Sequence, residues 1–197
     1  MRILALAGSP HRPSNSEELM RAAIDGASER KGVKVEAFRV ADMAISPCRA
    51  CGGCDETGAC VIRDDMQQLY PLLRGADRLI IASPIFFGSV TAWIKAVFDR
   101  CQACWAEKYL LKRLVEPRPP RRRGLFISTC GTNIPSMFDG GLAVIRPVFH
   151  VLDVKLMPAV LVHGIDTLGQ VRSRPETLEA AREAGRQLVT DRGDAGA

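Results

Sequence analysis

The sequence has few aromatic residues and lacks a long uninterrupted hydrophobic run. It contains two Trp, two Tyr and seven Phe among 197 residues, and the apolar start at 1–7 turns polar at once. That start is too short for a secretory signal, and no run approaches membrane-spanning length. We therefore expect a cytoplasmic protein without a membrane partner, in a compartment that keeps ordinary thiols reduced.

Two common nucleotide-binding motifs are also missing. The segment after the first apolar run contains neither G-x-x-x-x-G-K-[ST] nor G-x-G-x-x-G, which excludes a P-loop and a dinucleotide fingerprint. The 27 Lys and Arg exceed the 22 Asp and Glu by only five charges, so no nucleic-acid partner is expected. The densest basic run, 118–123, contains two prolines and is predicted to be a solvated loop.

Apolar runs alternate with amphipathic stretches along the chain, which is typical of helices packed on both faces of a parallel sheet. Strands are predicted at 2–7, 33–40, 78–83, 124–129 and 155–162. Helices are predicted at about 16–31 (capped by Ser16), 65–73 (capped by Asp64 or Asp65), 90–106, 142–152 and 176–190. This pattern predicts one flavodoxin-like, doubly wound α/β domain over 1–197, with ligands beyond the carboxyl ends of its strands.

Three polar, glycine-containing loops are predicted at that rim. Loop 8–16 runs into a helix N-terminus with many hydroxyl, amide and main-chain donors, which suits a phosphate monoester. Loop 83–89 carries two adjacent phenylalanines that could flank a planar ring, and loop 129–133 is the third. A capped turn without ligand and core-buried phenylalanines are the alternatives. Together the three loops predict an FMN site.

Four of the seven cysteines form the group Cys48-x2-Cys51-x2-Cys54-x5-Cys60, in a segment of about 45–60 that leaves the strand and helix pattern. Three thiols at this spacing can converge on one small cubane, and the fourth completes its ligands. The two glycines between the second and third thiols would let main chain approach inorganic sulfide. Zinc and free thiols are the alternatives, although zinc sites usually use two pairs of ligands separated by a longer loop. The spacing favours an iron-sulfur cluster.

The remaining thiols and the histidines carry weaker signals. Cys101 and Cys104 are predicted to be buried structural thiols on a helix. Cys130 borders the predicted flavin, without a neighbour in sequence that would activate it. No histidine is assigned to a metal, and His11 is at most a phosphate donor.

These motifs resemble the NADPH-dependent FMN reductase superfamily and, within it, the iron-sulfur flavoproteins. The resemblance covers most of the chain in order, on Gly8-Ser9-Pro10, Asn15-Ser16, the four cysteines, Asp64-Asp65-Met66, Ala76-Asp77, Ser83-Pro84, Lys95 and Asp99-Arg100. It implies FMN in the three loops, a [4Fe-4S] cluster on the four cysteines, and assembly as a homodimer or homotetramer.

Residue roles follow from the resemblance position by position. The implied phosphate contacts are Ser9, His11, Asn15 and Ser16. The implied ring and ribityl contacts are Pro84, Phe86, Phe87, Gly88 and Ser89, and the third loop adds Thr129 and Gly131. The sequence departs from the family pattern at His11, where Arg is common, at Ser16, where Thr is common, and at Phe86, where Tyr is common.

We therefore predict an FMN-dependent oxidoreductase that passes electrons between a [4Fe-4S] cluster, FMN and a donor or acceptor. FMN is the redox centre and no catalytic side chain is required. The expected partner is a ferredoxin-type electron carrier or NAD(P)H. Two alternatives remain, namely an NAD(P)H-dependent FMN or quinone reductase with no occupied cluster, and a zinc-stabilised flavodoxin-like interaction module.

Overall fold

The computed structural model describes residues 1–114 and 118–190. Its strands are β1 (Arg2–Ala7), β2 (Lys34–Arg39), β3 (Arg78–Phe86), β4 (Ser89–Val90), β5 (Arg123–Thr129), β6 (Lys155–Leu156) and β7 (Val160–Val162). Its α-helices are α1 (Asn15–Ser28), α2 (Met66–Gly75), α3 (Ala92–Arg100), α4 (Gln102–Trp105), α5 (Asp139–Val151) and α6 (Pro175–Val189). Residues 191–197 of the predicted domain lie outside the described residues.

The parallel strands lie in the order β2-β1-β3-β5, and both β6 and β7 pair with the outer edge of β5. β4 adds antiparallel to the end of β3. This arrangement confirms the predicted flavodoxin-like sheet, whose switch point lies between β1 and β3. The predicted fifth strand is split in two at 157–159, where Pro158 has no N–H to donate to a ladder.

Alternate residues of the central strands face two separate cores, as a sheet covered on both faces requires. Leu4 and Leu6 pack with α2, α3 and α5 on one face. Ile3 and Ala5 pack with α1 and α6 on the other. None of the helices in the described part of the chain is long and apolar enough to cross a membrane. A cytoplasmic location stays a prediction.

Two sequence predictions were wrong in detail. The N-cap of α1 is Ser14, whose side chain accepts from the Glu17 amide, and Ser16 lies inside the first turn. The helix predicted at 90–106 is broken at Cys101, where the chain makes a tight turn between α3 and α4.

The basic run 118–123 is not uniformly solvated, because Arg118 and Arg122 have buried side chains. Arg122 donates to the main-chain carbonyls of Leu73 and Ala76 at 2.5 and 2.8 Å. Carbonyls at the end of α2 lack helical partners, and a guanidinium with five donors can satisfy several at once. Arg118 instead forms ion pairs with Glu107 and Asp153.

Candidate functional site

A cavity of about 240 Å³ lies at the carboxyl ends of β1, β3 and β5. The predicted flavin residues that line it are Ser9, His11, Asn15, Pro84, Phe86, Thr129 and Gly131. The predicted residues that do not line it are Ser16, Phe87, Gly88 and Ser89. The lining residues that the sequence analysis did not assign to the flavin are Ser14, Ile85, Cys130, Ile165, Asp166 and Leu168. The structure therefore brings the three predicted loops together and adds a fourth wall after β7.

The first loop is held on the sheet by main-chain contacts. The Gly8 amide donates to Ala82 O at 2.7 Å, and Thr91 Oγ1 donates to Gly8 O at 2.5 Å. A Cβ at Gly8 would lie 2.7 Å from the Cβ of Ile94, so only glycine allows α3 to come this close. Arg39 Nη2 donates to His11 O at 3.2 Å and fixes the far side of the loop.

The start of α1 offers main-chain donors and a positive helix end, which together suit an anion. The side chain of Asn15, however, is already engaged. Its Nδ2 donates to Thr167 O at 2.9 Å, and its Oδ1 accepts from the Val171 amide at 3.0 Å. Ser16 Oγ lies 3.2 Å from Ser14 Oγ. The Asn15 side chain is thus occupied within the protein, and phosphate contacts from the side chains or amides of Asn15 and Ser16 stay a prediction.

The two phenylalanines of the second loop are placed differently. Phe86 lines the cavity, and its ring meets His11 edge-on with centroids 6.2 Å apart. The side chain of Phe87 is fully exposed, and its φ of 48° lies in the left-handed region. Gly88, with φ of 76°, completes the turn into β4. One of the two predicted ring contacts therefore belongs to the cavity wall.

The third loop brings a thiol and an imidazole together. Cys130 Sγ lies 3.6 Å from His163 Nδ1 and 3.2 Å from Thr132 O. Cys130 lines the cavity, whereas His163 packs edge-on against Phe138 behind it. Sequence reasoning missed this pair because its members follow different strands.

A second cavity, of about 480 Å³, is lined by all four predicted metal ligands, Cys48, Cys51, Cys54 and Cys60. The main chain turns sharply between the thiols, with positive φ at Ala50 and Gly52. The Ala50 amide donates to Cys48 Sγ at 3.5 Å. A Cβ at Gly53 would lie 2.6 Å from Val61 Cγ1, so this glycine allows the loop to close on Val61. The four cysteines thus lie on the wall of one cavity.

The Cys54 thiol lies near one acidic side chain and two other cysteines of the loop. Burial raises the pKa of the Cys54 thiol, and the charges of Asp55, Cys60 and Cys48 raise it further. A bound metal would offset this repulsion by stabilising the thiolates. Within 1–114 and 118–190, no three His, Cys, Asp or Glu side chains are arranged to hold a single metal ion.

Two aspartates hold the ends of the cysteine loop together. Asp64 Oδ2 accepts from the Ser46 amide at 2.9 Å, and Asp65 Oδ2 accepts from the Ala44 amide at 2.8 Å. Burial acts to raise the pKa of Asp64, but hydrogen bonds from Arg100 and from the Ser46 and Met66 amides outweigh it and lower that pKa.

Cys101 and Cys104 are buried and line neither cavity, which confirms their predicted burial. They do not share the predicted helix, because Cys101 lies at the turn between α3 and α4 and Cys104 lies in α4. The Cys101 thiol donates to the Val97 carbonyl at 3.4 Å. Both cysteines belong to the core next to α2, at a distance in the chain from the four loop cysteines.

Comparison with known proteins agrees with this architecture. The model of the NADPH-dependent FMN reductase family matches residues 1–166. An iron-sulfur flavoprotein from Methanosarcina thermophila is 36% identical over 115 residues, which cover 58% of this chain and 60% of that protein. The chain spans about half to three fifths of the length of the first curated relatives that it matches.

Two solved structures share the fold at low identity. An NAD(P)H:quinone oxidoreductase from Methanothermobacter marburgensis has a TM-score of 0.68 at 20% identity, covering 97% of this chain and 98% of that one. An FMN-dependent NADH-azoreductase from Bacillus anthracis, in complex with FMN, has a TM-score of 0.70 at 15% identity, covering 96% and 99%. At these identities the likeness shows the fold alone.

Proposed function

Because the chain belongs to the NADPH-dependent FMN reductase family, we propose that it is an FMN-dependent oxidoreductase that passes electrons between a [4Fe-4S] cluster, FMN and an external donor or acceptor. The observation that carries the proposal is that four cysteines line one cavity, while a second cavity lies at the flavin position of the fold. FMN would supply one- or two-electron exchange and the cluster one-electron exchange.

The polar and apolar residues of the flavin cavity are distributed in a way that fits FMN. Ser9, His11 and the first amides of α1 form a polar end suited to the phosphate. Pro84 and Phe86 form an apolar wall for the ring, and Gly131 lines the same cavity. The cavity is smaller than the usual range of about 300–1,000 Å³ for ligand sites. Part of a bound flavin would therefore remain outside the cavity.

The cysteine cavity fits a polynuclear cluster in its donor set and size. Four thiols are the ligand set of a [4Fe-4S] cluster, and soft thiolates select iron-sulfur clusters, zinc or copper(I). Val61 and Ile62 add apolar surface to the same cavity. The four cysteines would hold the cluster, in a cavity that shares no lining residue with the flavin cavity.

A ferredoxin-type carrier is the proposed partner at the cluster, because both centres exchange single electrons. NAD(P)H is the proposed alternative donor at the flavin. Assembly as a homodimer or homotetramer is part of the proposal, as the family resemblance implies.

A cluster-free NAD(P)H-dependent FMN or quinone reductase is the second candidate. It is favoured by the separation of the two cavities, because the flavin cavity uses none of the four cysteines.

Anaerobic purification with a visible spectrum and analysis of flavin, iron, sulfide and zinc separates the candidates. FMN with about four irons and four sulfides per chain supports the proposal. FMN alone supports the second candidate, and a colourless zinc protein would refute both. Chromatography of the extracted flavin checks the cofactor, and FAD alone would refute the phosphate assignment.

A further inference from the structure

We propose that Arg100 is a positioning residue of the cluster, whose Nε–H donates a hydrogen bond to a sulfur of the group held by the four thiols. This bond favours the reduced, more negative cluster and raises its reduction potential. The inference rests on the proposed function, because it requires an occupied cluster.

Arg100 ends α3 and is almost completely buried, with 1% of its surface exposed. Its Nη1 donates to Ser46 O at 2.9 Å and to Asp64 Oδ2 at 2.8 Å. Its Nη2 donates to Ile62 O at 3.2 Å and to Asp64 Oδ1 at 3.2 Å. One guanidinium thus joins the segments that enter and leave the cysteine loop.

These contacts use both terminal nitrogens of the guanidinium and leave Nε as its remaining donor. That atom is buried and has no hydrogen-bond partner among the described residues. Arg100 also lines the cavity of the four cysteines. A buried N–H without an acceptor is costly, and a thiolate or sulfide in the cavity would supply one. The unpaired donor is the observation that points to a ligand in this cavity.

The other charged groups on the cavity wall differ from Arg100 in exposure. Arg49 and Asp55 are exposed, as is Asp99, which pairs with Lys95 at 2.7 Å. Asp64 pairs with Arg100 at 2.8 Å and compensates its charge. Arg100 therefore differs from the other charged residues of the cavity wall in its buried Nε–H donor more than in its net charge. Hydrogen bonds to cluster sulfurs are one of the factors that set the potential of iron-sulfur proteins.

The first test compares Arg100→Lys with Arg49→Lys in anaerobically prepared holoprotein. Both variants keep a positive charge, but only the first removes a buried Nε–H. We expect a more negative cluster midpoint potential in Arg100→Lys and an unchanged potential in Arg49→Lys. A potentiometric titration monitored by EPR measures both potentials. An iron-loaded Arg100→Lys protein with the wild-type potential would overturn the inference and leave the proposed function intact.

A second measurement needs no substitution that could disturb the loop. Wild-type protein labelled with ¹⁵N at arginine Nε should show a nitrogen hyperfine coupling to the reduced, paramagnetic cluster. The coupling should persist in labelled Arg49→Lys. An iron-loaded wild-type protein without this coupling refutes the role of Arg100. A wild-type protein without iron refutes the proposed function as well, so the two failures are distinguishable.

Discussion

The flavin cavity and the cysteine cavity are built in opposite ways. The flavin cavity lies where β1, β3 and β5 end, and its walls are loops whose positions follow from the sheet. The cysteine cavity lies in a segment with no regular secondary structure between 43 and 65. Its shape depends on buried charged groups, chiefly Arg100 and Asp64, that tie the loop to α3.

This difference indicates which substitutions each cavity tolerates. A loop between two packed elements keeps its course when one side chain is lost, because the main-chain contacts at residues such as Gly8 remain. A loop held by an ion pair loses several contacts at once when one partner is removed. We therefore expect large effects at the cysteine cavity and graded effects at the flavin cavity.

The largest effect is expected for replacement of a loop cysteine. A cubane needs every iron ligated, so Cys48→Ser, Cys51→Ser, Cys54→Ser or Cys60→Ser should each remove most of the iron and sulfide. FMN should stay bound, because no cysteine of this loop lines its cavity. Iron, sulfide and flavin analysis of the anaerobically prepared variants measures both. Electron delivery from a ferredoxin-type donor should fall, while slow reduction of the flavin by dithionite persists.

The control for these variants is Cys101→Ser, together with Cys104→Ser. Both thiols are buried in the core and line neither cavity, so they should alter stability and leave iron in place. Iron that survives the loop substitutions but disappears in the controls would place the cluster elsewhere.

The next largest effect is expected for Asp64→Asn, which leaves Arg100 buried without its counter-ion. Breaking a buried ion pair costs about 3–5 kcal/mol. Asp65→Asn is the matched control, because Asp65 accepts a hydrogen bond from the Ala44 amide and pairs with no arginine among the described residues. Its expected loss is about 1 kcal/mol. Denaturant unfolding of the two variants compares the losses in the free energy of unfolding. Equal losses would mean that the ion pair does not hold the loop.

The same pair gives a pH dependence with a definite sign. The pKa of Asp64 is lowered in the folded protein from its usual value of 3.8. Its stabilisation is therefore present above that value and is lost as the pH falls below 3.8 through the folded pKa. The stability difference between wild type and Asp64→Asn should shrink over this range. A difference that is constant with pH would contradict the assignment.

Sequence reasoning succeeded where regular periodicity fixes position. The buried strands, their loops and the four grouped cysteines follow from local pattern and spacing. The approach of Asn15 to Val171 and of Arg100 to Ser46 could not be predicted, because each contact joins segments far apart in the chain. The prediction of a solvated loop at 118–123 was wrong for the same reason, because the carbonyls that accept hydrogen bonds from Arg122 lie in α2 and at the end of α5.

A smaller effect is expected for Asn15→Ala at the flavin cavity. The substitution removes both hydrogen bonds to the segment 167–171, and net hydrogen bonds are worth about 1 kcal/mol each. FMN affinity should fall by one to two decades, about 1.4–2.8 kcal/mol, because the adjoining wall at 165–168 loses its anchor. Titration of flavin-free protein with FMN measures this.

Ser16→Ala is the matched control for Asn15→Ala, since its hydroxyl contacts only Ser14 Oγ among the described side chains. It should change FMN affinity by less than about threefold, below the worth of one net hydrogen bond. Equal losses in the two variants would favour direct side-chain contacts to the phosphate instead.

The smallest effects separate the two phenylalanines of the second loop. Phe86 forms part of the cavity wall, so Phe86→Ala should remove an aromatic contact with the flavin ring, worth about 0.5–1.5 kcal/mol or roughly two- to tenfold in FMN affinity. Phe87 is fully exposed and outside the wall, so Phe87→Ala should leave the affinity unchanged. Titration of the two flavin-free variants with FMN compares their affinities. A loss in Phe87→Ala as large as in Phe86→Ala would show that the bound flavin extends beyond the cavity onto the rim, and that this rim is part of the binding surface.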